Sequence, residues 1–120
     1  MKKFTTKDSG KRITFEETGM NRDVSEDKVR YDLVVPEDSK DNMLQRWAAL
    51  MTRGAVKYGV RNWEKARTAD ELLRFRESAF RHFMQWYLGE DDEDHAAAAF
   101  FNIQGAEYAK RRMRKGAIAK

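Results

Sequence analysis

Both histidines of this chain, His82 and His95, flank five consecutive acids, Glu90 to Asp94. Carboxylates packed this densely repel one another unless they are solvated or hold a cation. Splitting a phosphoanhydride needs that combination, because Mg²⁺ held by carboxylates neutralises the phosphates and activates water. The same acids at a helix start supply N-caps, and Asp91 or Asp92 fits that role. Each histidine has two readings as well. His95 can orient a water, contact a phosphate or ligate a metal, and His82 can share that site or anchor Trp86. A hydrogen-bonded imidazole in the core accounts for either one equally. On a helix starting near Asp91, positions 91, 95, 98 and 102 share one face, so His95 and Asn102 form a polar stripe among Ala, Phe and Ile. Glu77 and Arg81 stand four apart, the spacing of a helix ion pair, while Glu77 is also a candidate general base and Arg81 a candidate phosphate ligand.

A second group carries complementary chemistry. Lys57-Tyr58-Gly59-Val60-Arg61-Asn62-Trp63 combines two cations with an amide and two aromatic rings. Arg61 can grip phosphate oxygens with its fork, Lys57 adds charge, Asn62 can read a base edge or a ribose, and Tyr58 or Trp63 can stack on a base. A surface loop with Trp63 plugging the core uses the same residues.

Three helices must position these groups. Leu44, Trp47, Ala48, Met51, Ala55 and Tyr58 repeat at three and four residues, predicting a helix over 41–58 that stops at Gly59. Thr68 followed by Glu71 has capping-box spacing and starts a second helix that runs through Leu72, Phe75, Ala79, Phe80, Phe83 and Tyr87 to Gly89. The third covers 92–114, acidic in its first turn and basic in its last. Before them, residues 1–27 form a polar arm with one short strand, and Lys28 to Pro36 reads as an extended segment. The expected fold is all-α, an antiparallel bundle of three long helices with an irregular N-terminal arm across it. It is a single domain over 1–120, with an arm at 1–27, a helical core at 28–114 and a basic tail at 115–120.

The 120 residues are 41% apolar with 7 Phe, 4 Tyr and 3 Trp, which favours a folded chain over a disordered one. Without cysteine there is no disulfide or thiolate chemistry. No signal peptide and no apolar run of membrane-spanning length occur, so no membrane partner is expected and the expected setting is the cytoplasm. The net charge of +4 is concentrated near the end, in Lys110, Arg111, Arg112, Arg114, Lys115 and Lys120. These residues complement a helix C-terminus, and no aromatic is interleaved among them, so a nucleic-acid partner is not expected.

Several blocks occur together in order: FEETGMNRD (15–23), KVRYDLVVP (28–36), RGAVKYGVRNWEKA (53–66), RHFMQWYLGEDDED (81–94) and His95 to Asn102. They resemble the mostly phage-borne family of dATP/dGTP diphosphohydrolase N-terminal domains, which is similar to the all-α nucleotide pyrophosphohydrolases of the MazG type. The resemblance implies a MazG-like fold, a purine deoxynucleoside triphosphate as ligand, Mg²⁺ as cofactor, homo-oligomers, and a host-cell cytoplasm if phage-encoded. It implies cleavage between the α and β phosphates, with Glu90, Asp94 and His95 as metal ligands. It also brings Arg22 and Arg30 of the arm, with Asp32, toward the substrate. A protein that binds or sequesters a nucleotide without turnover would share the loop but not need an intact metal cluster. Two departures bear on this. Glu90-x-x-Glu93 has the metal spacing at a corner rather than on a helix, and Ala98 stands where members often carry a second histidine.

Overall fold

A computed structural model describes residues 4–6, 8–24 and 28–119, with side-chain surroundings up to residue 115. Lys120 of the basic tail lies outside the described residues. The chain resolves into two compact units, Met1–Leu33 and Val34–Lys120.

The first unit holds two short strands rather than the single one expected, β1 (Arg12–Thr14) and β2 (Asn21–Asp23), paired antiparallel with Ile13 opposite Arg22. Phe15 N–H donates to the Met20 carbonyl and Gly19 N–H to the Phe15 carbonyl, closing the turn that sequence patterning alone did not reveal. Asp23 fixes one end by accepting from the Ser9 backbone and hydroxyl. The segment expected to be extended instead forms a 3-10 turn over Tyr31–Val34. Pro36 restrains only the residue before it, and Leu33 N–H closes the turn on the Arg30 carbonyl.

The second unit is three helices. α1 (Met43–Tyr58) starts at Asn42, whose side chain accepts from Gln45 N–H, and closes with Gly59 N–H on the Ala55 carbonyl. A 3-10 turn over Asn62–Lys65 interrupts the loop expected to be irregular. α2 (Ala69–Tyr87) starts with the reciprocal Thr68–Glu71 capping box that its spacing predicted. α3 (His95–Ala119) begins three residues later than expected.

α3 makes its main contact with α2 and a smaller one with α1. The close α2–α3 approach needs small residues. Ala97, Ala98, Ala99, Ala106 and Ala109 are the buried core of α3. Gly105 is a further requirement, since a Cβ there would lie 2.5 Å from Cε1 of Phe75. The α1 face is less well covered than its periodicity implies. Trp47 sits edge-on to Phe100 with centroids 4.9 Å apart, whereas Leu44 and Tyr58 stay exposed.

Candidate functional site

The corner between α2 and α3 is built by backbone constraints. Gly89 takes φ of 80°, a left-handed conformation open to glycine without a Cβ penalty. Its N–H reaches the Trp86 carbonyl, and that of Glu90 the Gln85 carbonyl, so the chain turns sharply off α2. Asp94 then starts α3. Its Oδ1 accepts from Ala97 N–H at 3.1 Å, and its carbonyl accepts from Ala98 N–H. Arg46 of α1 grips the same carboxylate with both arms of its fork, Nε to Oδ2 at 2.9 Å and Nη2 to Oδ1 at 2.7 Å. That hydrogen-bonded pairing holds the Asp94 carboxyl below the ordinary carboxylate range against the opposing effect of burial. Asp94, expected among the metal ligands, is therefore committed to tying α1 to the start of α3.

This anchoring places His95, only 2% exposed, between two partners. Its Nε2 lies 2.7 Å from Oδ1 of Asp92, and its Nδ1 lies 2.9 Å from Nδ1 of His82 on α2. Two imidazole nitrogens at that distance share one hydrogen, one donating and one accepting. Burial pushes the His82 imidazole below its ordinary value, and the Arg81 charge and His95 push it further in the same direction, with Glu93 and Asp92 opposing. The hydrogen bond from His95 holds the Asp92 carboxyl down. The result is a continuous chain, Asp92–His95–His82, entering the helix pair from the acidic corner.

Glu90, Asp92 and His95 each offer one ligand atom, all within 4.8 Å of one another. The two carboxylates are exposed and the histidine is buried. A set of two carboxylate oxygens open to water suits Mg²⁺, which keeps several waters and takes few protein ligands; a nitrogen ligand also admits Mn²⁺ or Zn²⁺.

The aromatic loop assembles a separate feature. Trp63 packs edge-on against Phe101 and Tyr108 of α3, as a core plug would, with centroids 6.0 and 5.1 Å away. Beside it Tyr58, Arg61, Asn62 and Trp63 line a largely apolar cavity of about 350 Å³ with Met51 and Phe75. Arg61 holds φ of 61°, an unusual left-handed conformation for a side chain of its size, and ion-pairs with Glu64 at 2.8 Å. Lys57 lies over the Tyr58 ring at 5.1 Å. Asn102, buried, donates to the Ala98 carbonyl and lines a smaller groove with Asn62, Trp63, Glu71, Arg74 and Ser78. None of His82, Glu90, Asp92 and His95 lines either hollow.

The remaining expected residues are dispersed. Glu77 and Arg81 are exposed on α2. Arg22 lies in the first unit, lining a groove with Asp8, Lys11 and Asp23. Arg30 spends both arms of its fork on Asp32, at 2.9 and 2.7 Å. Sequence reasoning missed Arg46 and treated Asp92 as a cap. For Arg46, 48 residues from its partner, no local signal existed. For Asp92, the three-residue spacing to His95 was available once the helix start was known.

A family model described as dATP/dGTP diphosphohydrolase, N-terminal, matches residues 18–116. No curated protein and no solved structure matches the chain.

Proposed function

We infer that this chain, which belongs to the family of dATP/dGTP diphosphohydrolase N-terminal domains, hydrolyses a purine deoxynucleoside triphosphate to its monophosphate and pyrophosphate. The observation that carries this reading is the buried His95 held between Asp92 and His82 at the edge of an acidic corner. Glu90 and Asp92 are the groups that would hold Mg²⁺, which when bound supplies charge neutralisation for the phosphates, while His95, accepting from His82 at Nδ1 and donating to Asp92 from Nε2, orients the Asp92 carboxylate.

The chain's own residues account for the proton. Water attacks the α-phosphorus, the bond from that phosphorus to the bridging oxygen breaks, and pyrophosphate leaves with the electron pair. With its Nδ1 hydrogen shared toward His95, His82 presents Nε2 as the acceptor for the proton from water, and Asp92 stabilises the charge passed along the pair. We give this role to His82 rather than Glu77, which lies on the exposed side of α2. The base and ribose belong to the cavity of Tyr58, Asn62 and Trp63, with Arg61, Lys57 and Arg81 as phosphate contacts. No helix among the described residues is long and apolar enough to cross a membrane. A soluble deoxynucleotide in the cytoplasm, rather than nucleic acid, is the ligand this arrangement suits. The basic C-terminal residues fit that view, because Arg111 and Arg112 cover the Tyr108 ring and Lys110 pairs with Glu107.

Nucleotide binding without turnover is favoured by one specific fact: the aromatic cavity is lined by none of the corner residues. Incubation with dATP or dGTP and Mg²⁺, followed by separate assays of binding and pyrophosphate release, distinguishes the two. Stoichiometric product that is lost in His95→Ala supports hydrolysis; tight binding with no pyrophosphate refutes it and leaves the binding module.

A further inference from the structure

A groove of about 250 Å³ lies beside the aromatic cavity, and Asn62, Trp63 and Phe75 line both hollows. Asn102, 9% exposed, stands in its wall. Its Nδ2 donates to the Ala98 carbonyl at 2.8 Å, while its Oδ1 accepts no hydrogen bond among the described residues. A buried amide oxygen in that state is costly unless a ligand supplies a donor. Glu71, in the same wall, is already occupied. Its Oε1 accepts from the Arg67 and Thr68 N–H groups and from the Thr68 hydroxyl. An anion is repelled from that end of the groove and drawn to the other.

Helix geometry sets the other end. Arg74, Ser78, Arg81 and Gln85 are separated by four, three and four residues, so they form one stripe along α2. Arg74 and Ser78 line the groove, and Arg81 and Gln85 continue the stripe toward the acidic corner. Among the described residues neither Arg74 nor Arg81 has an ion pair or a hydrogen bond, so both keep their full set of donors. Both are exposed. Gln85 reaches the corner itself, its Nε2 lying 3.5 Å from Oε1 of Glu90. After burial, the Arg81 charge is the next influence holding the His82 imidazole below its ordinary value. Ser78 precedes His82 by one turn, about 6 Å along the axis.

We propose that the groove and this stripe carry the sugar-phosphate arm of the nucleotide, joining the aromatic cavity to the acidic corner. Asn102 Oδ1 accepts from the 3′-hydroxyl of the deoxyribose. The Ser78 hydroxyl donates to the α-phosphate, and Arg74 and Arg81 flank that phosphate from either side. The β and γ phosphates run past Arg81 toward Gln85 and the corner. The inference rests on the nucleotide reading of the aromatic cavity and supplies the connection that cavity lacks, since none of His82, Glu90, Asp92 and His95 lines it.

Calorimetric titration without divalent cation reads these contacts apart from turnover. The wild-type chain should bind dAMP about tenfold or more tighter than deoxyadenosine, the factor that one charge-assisted hydrogen bond supplies. Arg74→Gln should abolish that step and leave the affinity for deoxyadenosine unchanged, and Arg81→Gln should weaken dATP most. Arg76→Gln removes an equal charge from the opposite side of α2; it should change nothing, which separates the stripe from net charge. For the sugar, 2′,3′-dideoxyadenosine should bind about tenfold more weakly than deoxyadenosine, a difference that should vanish in Asn102→Leu. If that variant does not fold by circular dichroism, the two ligands on the wild-type chain decide. Equal wild-type affinity for dAMP and deoxyadenosine overturns the proposal, as do Arg74→Gln and Arg81→Gln chains that bind like the wild type. Pyrophosphate release by those chains at an unchanged KM leaves hydrolysis standing without the stripe. Binding that meets every expectation with no pyrophosphate released supports the stripe and refutes hydrolysis alone. No binding of any nucleotide refutes both.

Discussion

Replacing Asp94 separates two roles that one carboxylate could play. In the structure it caps α3 through Ala97 N–H and receives both arms of Arg46. Loss of an N-cap costs about 1 kcal/mol. The ion pair is a geometrically good bidentate contact, but the Arg46 side chain is 39% exposed, so solvent screening limits it to about 0.5–1 kcal/mol. Asp94→Ala should therefore lose about 1.5–2 kcal/mol. For a chain of this size that lowers the melting temperature by roughly 6–8 °C. Asp94→Asn keeps a capping oxygen and loses only the charge, so its fall should be about half as large or less. Arg46→Met should match Asp94→Asn, and the double variant should be no worse than either alone, because both single changes delete the same pair. The assay is thermal unfolding followed by circular dichroism, at one protein concentration so that association does not shift the midpoint. A parallel titration with Mn²⁺ reports the cation site. If Asp94→Asn abolished cation binding while leaving the melting temperature unchanged, Asp94 would be a ligand and not a strut, and the assignment of the cation site to Glu90 and Asp92 would fail.

Three further outcomes follow from other parts of the chain. Gly105→Ala sets a helix-propensity gain of about 1 kcal/mol against overpacking of about 1–3 kcal/mol on a Phe75 ring 2.5 Å from the new Cβ; calorimetry should show net destabilisation, and a raised melting temperature would mean that the ring moves freely. The Glu71 carboxyl is held below its ordinary value chiefly by the Arg67 N–H, then by Thr68. The stability it gives the start of α2 is therefore fully present above the ordinary carboxylate value and lost as pH falls through the lowered one. Protection of the Arg67 and Thr68 amides, taken relative to the intrinsic exchange rate at each pH, should fall across that acid range, and protection that stays constant through it would remove the capping box as the cause. Asp92→Asn should weaken Mn²⁺ binding about tenfold or more with little change in melting temperature, because the Asp92 side chain is 67% exposed; unaltered Mn²⁺ affinity would remove Asp92 from the cation site.

The helices were legible because their signals are local. The Thr68–Glu71 box, the stop at Gly59 and the three-and-four spacing of α1 are each read within a few residues. The polar stripe was legible for the same reason, since His95, Ala98 and Asn102 do share the buried face of α3. What periodicity does not encode is how much cover each face receives. The apolar residues of α2 divide into one set on α3 and another in solvent, though both sets satisfy the same helical spacing. The site turned on a distinction finer still. With the helix starting at 92, Asp94 would be free to ligate and Asp92 would cap; with the start at His95, the two exchange roles. Nothing among five adjacent acids marks which of them Arg46 will take, because that choice is made by the contact between α1 and α3. Once Arg46 claims Asp94, the capping bond fixes the first turn of α3. His95 then points inward to His82, and Asp92 is the acid within reach of its other nitrogen. A long-range ion pair, not the local run of charge, decides which carboxylate is left for chemistry.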